Sequence, residues 1–358
     1  MTDNSLGFAL VGCGRVAQRY LNLLNGHVVG ARLVAICDVK PDRAESAAKK
    51  TDAPSYVDMH EMMRAHCDSI DVVCVLTESG LHAQHVIALA PYGRHILTEK
   101  PMALTLEDAQ AMIVACDQFN VRFFVVKQNR YNLPVIKLRD ALEKGRFGKL
   151  VMGTVRVRWC RPQSYYDQDA WRGTWALDGG VFANQASHHI DLLMWMLGEP
   201  VSVFAKTRTA LAKIEAEDTG VAVITFRNGA IGVVEATTAT RPKDLEGSLS
   251  LLGENGTVEI GGFAVNQMRT WQFKEPAPED AEVMSKFNEN PPTVYGFGHQ
   301  RYLEGIVAAL TAGGPRLVDG IEGMRSLELI VAMYESAETG KEVPLRFRPA
   351  YARLGERK

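Results

Sequence analysis

Two adjacent histidines lie in the segment GGVFANQASHHID, residues 179–191, together with an asparagine. Imidazole titrates near neutral pH, so a histidine can accept and return a proton during catalysis. At about 100° per residue, a helix over 183–197 places Asn184 and His188 on one polar side and turns His189 toward an apolar stripe. We therefore predict that His188 serves a catalytic site and that His189 packs. The divergence of the two imidazoles also argues against a metal site.

A lysine directly follows an apolar strand pattern in HILTEKP, residues 95–101. Pro101 restricts the backbone of Lys100 to extended angles, which aims the lysine side chain. The carboxyl ends of parallel strands are where such sheets bind ligands. An ammonium group there can stabilise a developing alkoxide while a histidine takes the hydroxyl proton. Lys100 is therefore a candidate for a ligand site at this edge of the sheet.

The segment FALVGCGRVAQRY, residues 8–20, combines an apolar strand, a glycine-rich turn and the start of a helix. Gly12 permits the tight turn, and Gly14 leaves room for a pyrophosphate facing the helix N-terminus. Asp38 ends the next strand, where a carboxylate accepts hydrogen bonds from the ribose hydroxyls of NAD and repels the 2′-phosphate of NADP. The pattern predicts an NAD site, and Lys40 keeps NADP as the alternative.

The elements that position these residues alternate between strand and helix in the first part of the chain. Strands are predicted at 6–11, 32–37, 70–76, 94–98 and 121–126. Helices are predicted at 15–25, 41–50, 58–66, 82–91 and 105–118. Strands that are apolar on both faces and joined by helices form a parallel sheet that is covered on both sides. We therefore predict an α/β, doubly wound Rossmann domain over residues 1–126.

The remainder, 127–358, has the pattern of an α+β domain with a large, mostly antiparallel open sheet. Strands are predicted at 150–159, 201–208, 219–227 and 230–238, on both sides of the turn at 253–256, and at the terminal VPLRF. Helices are predicted at 183–197, 299–312 and 321–338, and a surface loop at 274–293. Turns such as Asn228-Gly229 are typical of hairpins. We assign substrate binding and oligomerisation to this domain.

The composition excludes several classes of function. A chain of 358 residues with a net charge of -2 lacks the basic excess of proteins that bind nucleic acid or membrane surfaces. Six cysteines without a CxxC spacing are typical of the reducing cytoplasm. We see neither a signal peptide nor an apolar run of the roughly 18 residues that span a bilayer. We expect a cytoplasmic enzyme that acts on a small molecule.

The loop GCGRVA, the triplet EKP and the later N-x-x-x-H-x-x-D resemble the Gfo/Idh/MocA oxidoreductase family over nearly the whole chain. The resemblance implies hydride transfer at a sugar or polyol carbon, with Lys100 and His188 as the catalytic pair. Asn184 replaces the family's aspartate and can orient a partner but cannot take a proton. LTESGLH, residues 76–82, resembles the family's T-P-N-x-x-H with Glu78 in place of proline. The resemblance assigns the cofactor to Gly12, Gly14, Arg15, Val16, Asp38, Thr77, His82, Glu99, Lys100, Gln128, Trp171 and Arg172.

A long arginine-rich and aromatic segment, 158–191, precedes and includes the histidines. Guanidinium groups suit carboxylates and diphosphates, and aromatic rings suit sugars and nucleobases. With QNRYN and VYGFGH elsewhere in the chain, the segment is similar to one branch of the family, the bacterial UDP-N-acetylglucosaminuronate 3-dehydrogenases. That branch implies a substrate site formed by Lys100, Arg161, Tyr165, Arg172, Asn184, Gln185 and His188. In related enzymes a Trp-Arg pair contacts the cofactor, so Trp171 and Arg172 serve either ligand.

The resemblance to this branch also implies a pathway and an assembly. The 3-keto product would pass to an aminotransferase in the synthesis of surface polysaccharide (lipopolysaccharide), and the enzyme would be a homo-oligomer, a dimer or a tetramer. Two alternatives remain open from the residues: a dehydrogenase of a free sugar or inositol, and a non-catalytic NAD-binding sensor. A sensor would have no use for the lysine and the histidine.

Overall fold

The computed structural model describes residues 5–291, 296–314 and 317–345, and it contains two sheets. The first sheet has six parallel strands: β1 Leu6–Val11, β2 Ala31–Cys37, β3 Ser55–Tyr56, β4 Val72–Val75, β5 His95–Thr98 and β6 Phe123–Val125. Its helices are α1 Ala17–Leu24, α2 Pro41–Ala48, α3 Met59–His66, α4 His82–Leu89 and α5 Leu106–Gln118. The strand order is β3-β2-β1-β4-β5-β6, which confirms the predicted Rossmann architecture.

The order of these strands explains where a ligand can bind. The strand β1 has β2 on one side and β4 on the other. The connection after β1 therefore runs to one side of the sheet, and the connection after β4 runs to the other. A crevice opens at such a switch point, beyond the carboxyl ends of the strands. The glycine turn after β1, Asp38 after β2 and Lys100 after β5 all lie at this edge.

The second sheet has eight strands in the order β13-β12-β11-β7-β10-β9-β8-β14. They are β7 Leu150–Arg158, β8 Pro200–Arg208, β9 Thr219–Phe226, β10 Ile231–Thr237, β11 Glu246–Gly253, β12 Gly256–Gly261, β13 Gln267–Phe273 and β14 Val343–Pro344. Among the described residues, β7 and β10 form the only parallel pair of this sheet. The prediction of a mostly antiparallel sheet is therefore confirmed.

One face of the second sheet is covered by helices and the other is open. The helices that follow β6 are α6 Leu133–Glu143, α7 Gln163–Tyr166, α8 Ser187–Leu197, α9 Asp280–Lys286, α10 Gly298–Thr311 and α11 Gly320–Thr339. The helix α8 approaches the sheet closely at Gly153, where a Cβ would lie 2.9 Å from Leu193. The opposite face exposes Phe204, Val221, Val223 and Ile231.

The last two long helices connect the two parts of the molecule. Tyr302, Leu303 and Ile306 of α10 pack with Phe8 and Leu10 in the core of the first sheet, although they belong to the range 127–358. The helix α11 contributes Leu327 to the core of the first sheet and Met333 to the core of the second. None of the described helices is long and apolar enough to cross a bilayer.

Several expectations about single elements are wrong. The predicted loop over 274–293 contains α9, where Asp280 binds Arg146 and Trp271. The strands β3 and β13 and the helix α6 were not predicted: β3 has only two residues, β13 is largely polar, and the amphipathic pattern of α6, with buried Val135 and Leu138, was missed. The predicted helix over 183–197 is interrupted: a π-helical turn, Val181–Gln185, precedes α8. VPLRF forms β14 through its first two residues, and Arg346 and Phe347 lie outside the described residues.

Candidate active site

A cavity of about 410 Å³ lies at the switch point, between the first sheet and the segment that precedes α8. Residues from both halves of the chain line it, so the two sheets approach one another here. Every residue predicted for catalysis, cofactor or substrate is among its lining residues: Gly12, Gly14, Arg15, Val16, Asp38, Thr77, His82, Glu99, Lys100, Gln128, Arg161, Tyr165, Trp171, Arg172, Asn184, Gln185 and His188. The roles of the individual residues stay predictions.

The glycine turn after β1 has the shape that a pyrophosphate requires. Gly12 has a φ of 99°, and a Cβ there would lie 2.8 Å from the carbonyl carbon of Leu76. A Cβ at Gly14 would meet no atom within 4 Å, so the backbone leaves open space at this point. No side chain caps the N-terminus of α1, and its first amide groups are available to an anion. This cradle fits the diphosphate of a dinucleotide.

Asp38 is held at the wall of the cavity by the backbone. The amide of Cys13 donates to its Oδ2 over 2.7 Å, and the amide of Lys40 donates to its Oδ1 over 2.8 Å. The carboxylate therefore has a fixed position beside the glycine turn. Since carboxylate oxygens accept hydrogen bonds and repel phosphate, the corner suits the ribose hydroxyls of NAD.

Glu99 is a buried carboxylate at the floor of the cavity. It accepts hydrogen bonds from the Tyr20 hydroxyl over 2.9 Å and from the Lys100 amide over 3.1 Å, and the His299 Nε2 lies 3.2 Å from its Oε1. Burial alone raises a carboxyl pKa, but the hydrogen bond from His299 and the charge of Lys100 lower the pKa of Glu99 to about 2. Glu99 is thus a permanent negative charge beside Lys100.

Lys100 reaches across the cavity to the second half of the chain. Its Nζ donates a hydrogen bond to the backbone carbonyl of Asn184 over 2.7 Å. Withdrawal from water lowers the pKa of Lys100, whereas the charges of Glu99 and Asp178 act against this change. The ammonium group is consequently fixed at the π-helical turn, at a residue that precedes His188 by four positions.

His188 lies at the first turn of α8 and lines the same cavity. Its Nε2 is 2.9 Å from the side-chain Nε2 of Gln128. Which of these two atoms donates depends on the tautomer of the imidazole. Burial, followed by the positive charges of Lys100 and Lys127, lowers the pKa of His188 well below 6.5. The neutral form, which can accept a proton, is therefore favoured at neutral pH.

His189 points away from the cavity, as the helical geometry predicts. It is fully buried and packs edge-to-face with Trp159, with 5.6 Å between ring centroids. Asp191 faces a third direction, where Arg130 binds both of its oxygens and Lys127 lies 3.4 Å away. The two histidines and the aspartate therefore diverge and do not form a common metal site.

Asn184 differs from its prediction, because it lies in the π-helical turn and not on the helical face of His188. The turn is held from outside: the Tyr334 hydroxyl accepts from the Gly180 and Ala183 amides, and Glu217 accepts from the Phe182 amide. These contacts replace those of a continuous helix. The backbone carbonyl of Asn184, and not its side chain, is the group that contacts Lys100.

The side chain of Asn184 binds an aspartate that the sequence did not indicate. Its Nδ2 donates to Asp178 Oδ1, and the Gly173 amide donates to Asp178 Oδ2 over 2.7 Å. On the other side, Gln185 Nε2 donates to Asn184 Oδ1 over 2.8 Å and to the Tyr165 hydroxyl over 3.1 Å. Asp178 is buried at one end of this chain of hydrogen bonds. No spacing rule relates these residues, because the contact forms across an irregular turn.

The arginines of the aromatic segment separate into two groups. Arg161 stacks over Trp159 and donates to Asp244 over 3.0 Å, and Arg172 stacks over Trp171 and donates to the Tyr165 hydroxyl over 2.9 Å. Both arginines line the cavity. Arg158, which the sequence grouped with them, lies instead in β7 and binds both oxygens of Glu235 on the neighbouring strand.

Known proteins resemble the chain over nearly its full length. Among curated proteins, the myo-inositol 2-dehydrogenase of Thermotoga maritima is 27% identical, over 94% of this chain and 97% of the relative. The D-apiose dehydrogenase of Paraburkholderia graminis is 26% identical, over 96% of this chain and 91% of the relative.

Two solved structures are more similar. The WlbA dehydrogenase of Bordetella pertussis, in complex with NADH and UDP-GlcNAcA, is 44% identical, with a TM-score of 0.92 and coverage of 97% of this chain and 100% of the other. The WlbA enzyme of Chromobacterium violaceum, with the same two ligands, is 42% identical, with a TM-score of 0.89 and coverage of 97% and 98%.

Family models cover both halves of the chain. Residues 6–127 match the oxidoreductase family's NAD-binding Rossmann fold, and residues 139–345 match its C-terminal alpha/beta domain. The cradle after β1, the fixed carboxylate of Asp38 and the lysine after β5 are what such a fold requires for a dinucleotide. The chain therefore belongs to the Gfo/Idh/MocA family of NAD-dependent oxidoreductases.

Proposed function

We propose that this protein oxidises the C3 hydroxyl of UDP-N-acetylglucosaminuronate (UDP-GlcNAcA), or of a closely related nucleotide sugar, to a ketone with NAD. One observation carries the proposal: the chain is 44% identical, over 97% of its length, to a dehydrogenase whose structure contains NADH and UDP-GlcNAcA. The meeting of Lys100 and His188 in one cavity supports it, because an ammonium group and a neutral imidazole are the two groups that alcohol oxidation needs.

The residues around the glycine turn fit NAD. Gly12 and Gly14, with the N-terminus of α1, would hold the pyrophosphate, and Asp38 would accept the ribose hydroxyls. Thr77, His82 and Gln128 line the path from this corner to Lys100. When bound, NAD supplies the acceptor for the hydride that leaves the substrate carbon.

The chain itself handles the proton and the charge. His188, neutral at neutral pH, accepts the proton of the substrate hydroxyl. Lys100 donates a hydrogen bond to the same oxygen and stabilises the negative charge that develops there. The carboxylate of Glu99 compensates the positive charge of Lys100, and the Asn184 carbonyl orients the Lys100 ammonium group by accepting its hydrogen bond.

The aromatic segment supplies groups for a charged sugar nucleotide. We assign Arg161 or Arg172 to the uronate or diphosphate, since a guanidinium matches both anions, and Tyr165 and Gln185 to ring hydroxyls or the acetamido group. Support comes from their common position at the cavity wall. Trp171 and Arg172 are adjacent to the dinucleotide corner as well, and we keep the cofactor as their alternative ligand.

The assembly and the cellular context are also proposals. The open face of the second sheet exposes Phe204, Val221, Val223 and Ile231, and an apolar sheet face of this kind suits a contact between copies of the chain. We propose a dimer or tetramer, which light scattering in solution tests. All six cysteines are free, which fits the reducing cytoplasm. The 3-keto product suits an aminotransferase in surface polysaccharide synthesis.

A substrate panel tests the function against its alternative. Dehydrogenases of inositol and free sugars are 22–27% identical relatives over nearly the whole chain. The oxidation of such a compound is therefore the alternative function to test. We expect NADH formation with UDP-GlcNAcA to exceed that with myo-inositol, free glucuronate or UDP-N-acetylglucosamine by about 10²-fold or more in kcat/KM, because these compounds lack the diphosphate or the carboxylate that Arg161 and Arg172 would bind with charge-assisted hydrogen bonds. UDP-N-acetylglucosamine is the matched control, since it differs only by a hydroxymethyl group in place of the carboxylate. Equal turnover of inositol would contradict the proposal.

Removing the carboxylate of Asp178 tests the support of the substrate side. In Asp178→Ala the Asn184 amide and the Gly173 amide lose a buried acceptor, so the turn that orients Lys100 relaxes. We expect kcat to fall by about ten- to a hundredfold while the Kd for NADH changes less than about twofold. Asp178→Asn, which keeps one acceptor oxygen, should lose less. An unchanged kcat in the alanine variant would show that Asp178 is only structural.

A further inference from the structure

The α7 segment, residues 163–172, contacts the cofactor side of the molecule. Arg15, from the glycine turn, donates to Gln168 over 2.6 Å and lies over the ring of Tyr165, 5.3 Å from its centroid. Arg43 of α2 donates to Asp169 over 2.9 Å. A residue of the second family domain therefore lies at the corner that Asp38 occupies in the first domain.

Two charges of opposite sign face the cavity at this corner. Asp38 would meet the ribose of the dinucleotide, and Arg43 lines the same cavity. NADP differs from NAD by a 2′-phosphate on that ribose, and a guanidinium is the side-chain group best suited to bind it. Arg43 would be such a ligand, but Asp169 accepts a hydrogen bond from its Nη2 over 2.9 Å and offsets its positive charge.

The pairing of Arg43 with Asp169 is stable at neutral pH. Partial withdrawal from water opposes ionisation of Asp169, but the hydrogen bond from Arg43 and the charge of Arg172 hold the pKa of Asp169 below its ordinary value. The hydrogen bond to Asp169 raises the pKa of Arg43 in turn. Arg172 lies 3.3 Å from the second oxygen of Asp169, so the carboxylate is held from two sides. Asp169 is thus the mostly buried partner of the pair, and the Arg43 side chain is 36% exposed.

We propose that Asp169 is a specificity-determining residue, which favours NAD over NADP by pairing with Arg43 and offsetting its charge. The inference rests on the proposed cofactor. Asp38 repels the 2′-phosphate directly, and Asp169 acts through another residue by removing the cation that would otherwise offset this repulsion. Both contributions point the same way, and they come from different domains of the chain.

The test measures the affinities of NADH and NADPH separately, by fluorescence titration of the purified full-length protein. Asp169→Asn removes the carboxylate charge that offsets the charge of Arg43, so the ratio of Kd(NADPH) to Kd(NADH) should fall by about tenfold. Asp167→Asn is the matched control, because it removes an equal charge two residues away from an exposed side chain that bonds only Gln163 among the contacts described. That variant should keep the wild-type ratio.

A double variant shows whether Arg43 transmits the effect. In Arg43→Met/Asp169→Asn the ratio should return toward that of Arg43→Met alone, while Lys40 is present in every variant and its effect cancels. An unchanged ratio in Asp169→Asn, or an equal fall in the Arg43→Met background, would overturn the inference. A wild-type protein that binds NADPH as tightly as NADH would overturn it also. If the wild type binds neither dinucleotide, the proposed function itself fails.

Discussion

Lys100→Met should lower kcat for UDP-GlcNAcA oxidation by about 10²- to 10³-fold, which is the effect of removing one donor from an oxyanion site. Methionine keeps the length and apolar stem of lysine but has no charge and no donor. Glu99 stays satisfied without the lysine side chain, because Tyr20 and His299 still contact it. The Kd for NADH should change by less than about threefold. Single-turnover NADH formation and a fluorescence titration measure the two quantities.

Lys149→Met is the control for this variant. Lys149 is an exposed residue at the start of the second sheet, remote from the cavity lining. The same chemical change there should leave both kcat and the Kd for NADH unaltered. A Lys100→Met enzyme that retains more than about a third of the wild-type kcat would mean that the ammonium group does not act on the reacting oxygen.

His188→Asn should lower kcat by about 10²- to 10⁴-fold, the range for loss of a general base. Asparagine preserves a polar side chain beside Gln128 but has no group that takes a proton at neutral pH. His189→Leu is the matched control on the same helix, because His189 is not among the cavity-lining residues and packs against the edge of Trp159. This neighbouring variant should keep kcat within about threefold. Normal activity in His188→Asn together with a large loss in His189→Leu would mean that His189, and not His188, takes the proton.

The pH profile gives the His188 assignment a second readout. Burial and the charges of Lys100 and Lys127 lower the pKa of His188 well below 6.5. A base with a lowered pKa stays deprotonated, and therefore active, at every pH above that value. We expect the acid-side loss of kcat/KM in the wild type to begin below pH 6.5 and to be absent from the residual activity of His188→Asn. A loss centred above pH 6.5 would contradict this assignment.

The residues that could be predicted from the sequence are those whose positions depend on local geometry. Gly12, Gly14 and Asp38 follow from strand–turn–helix units, in which a few consecutive residues set the backbone path. The divergence of His188 and His189 follows in the same way from the helical repeat. The joint role of Lys100 and His188 came from the resemblance to a family, since a separation of many residues along the chain has no geometric meaning of its own.

The residues that could not be predicted depend on irregular segments that meet across the fold. Asp178 binds Asn184 because the turn before α8 is held by Tyr334 and Glu217, which are distant in sequence. Asp169 reaches Arg43 only because the α7 segment lies over the first sheet. Apolar periodicity carries no information about such contacts. For the same reason the helical wheel misplaced Asn184, since it assumed a regular helix where external acceptors stabilise a π-helical turn.

The helix α11 limits the ways in which the molecule can admit its ligands. It is 20 residues long, and it is embedded through Leu327 in one core and through Met333 in the other. A hinge motion that separated the two sheets would have to bend this helix or expose the buried apolar side chains at one of its ends. We therefore expect the ligands to enter and leave through a local movement of the α7 segment alone. The two sheets would keep their relative position throughout the catalytic cycle.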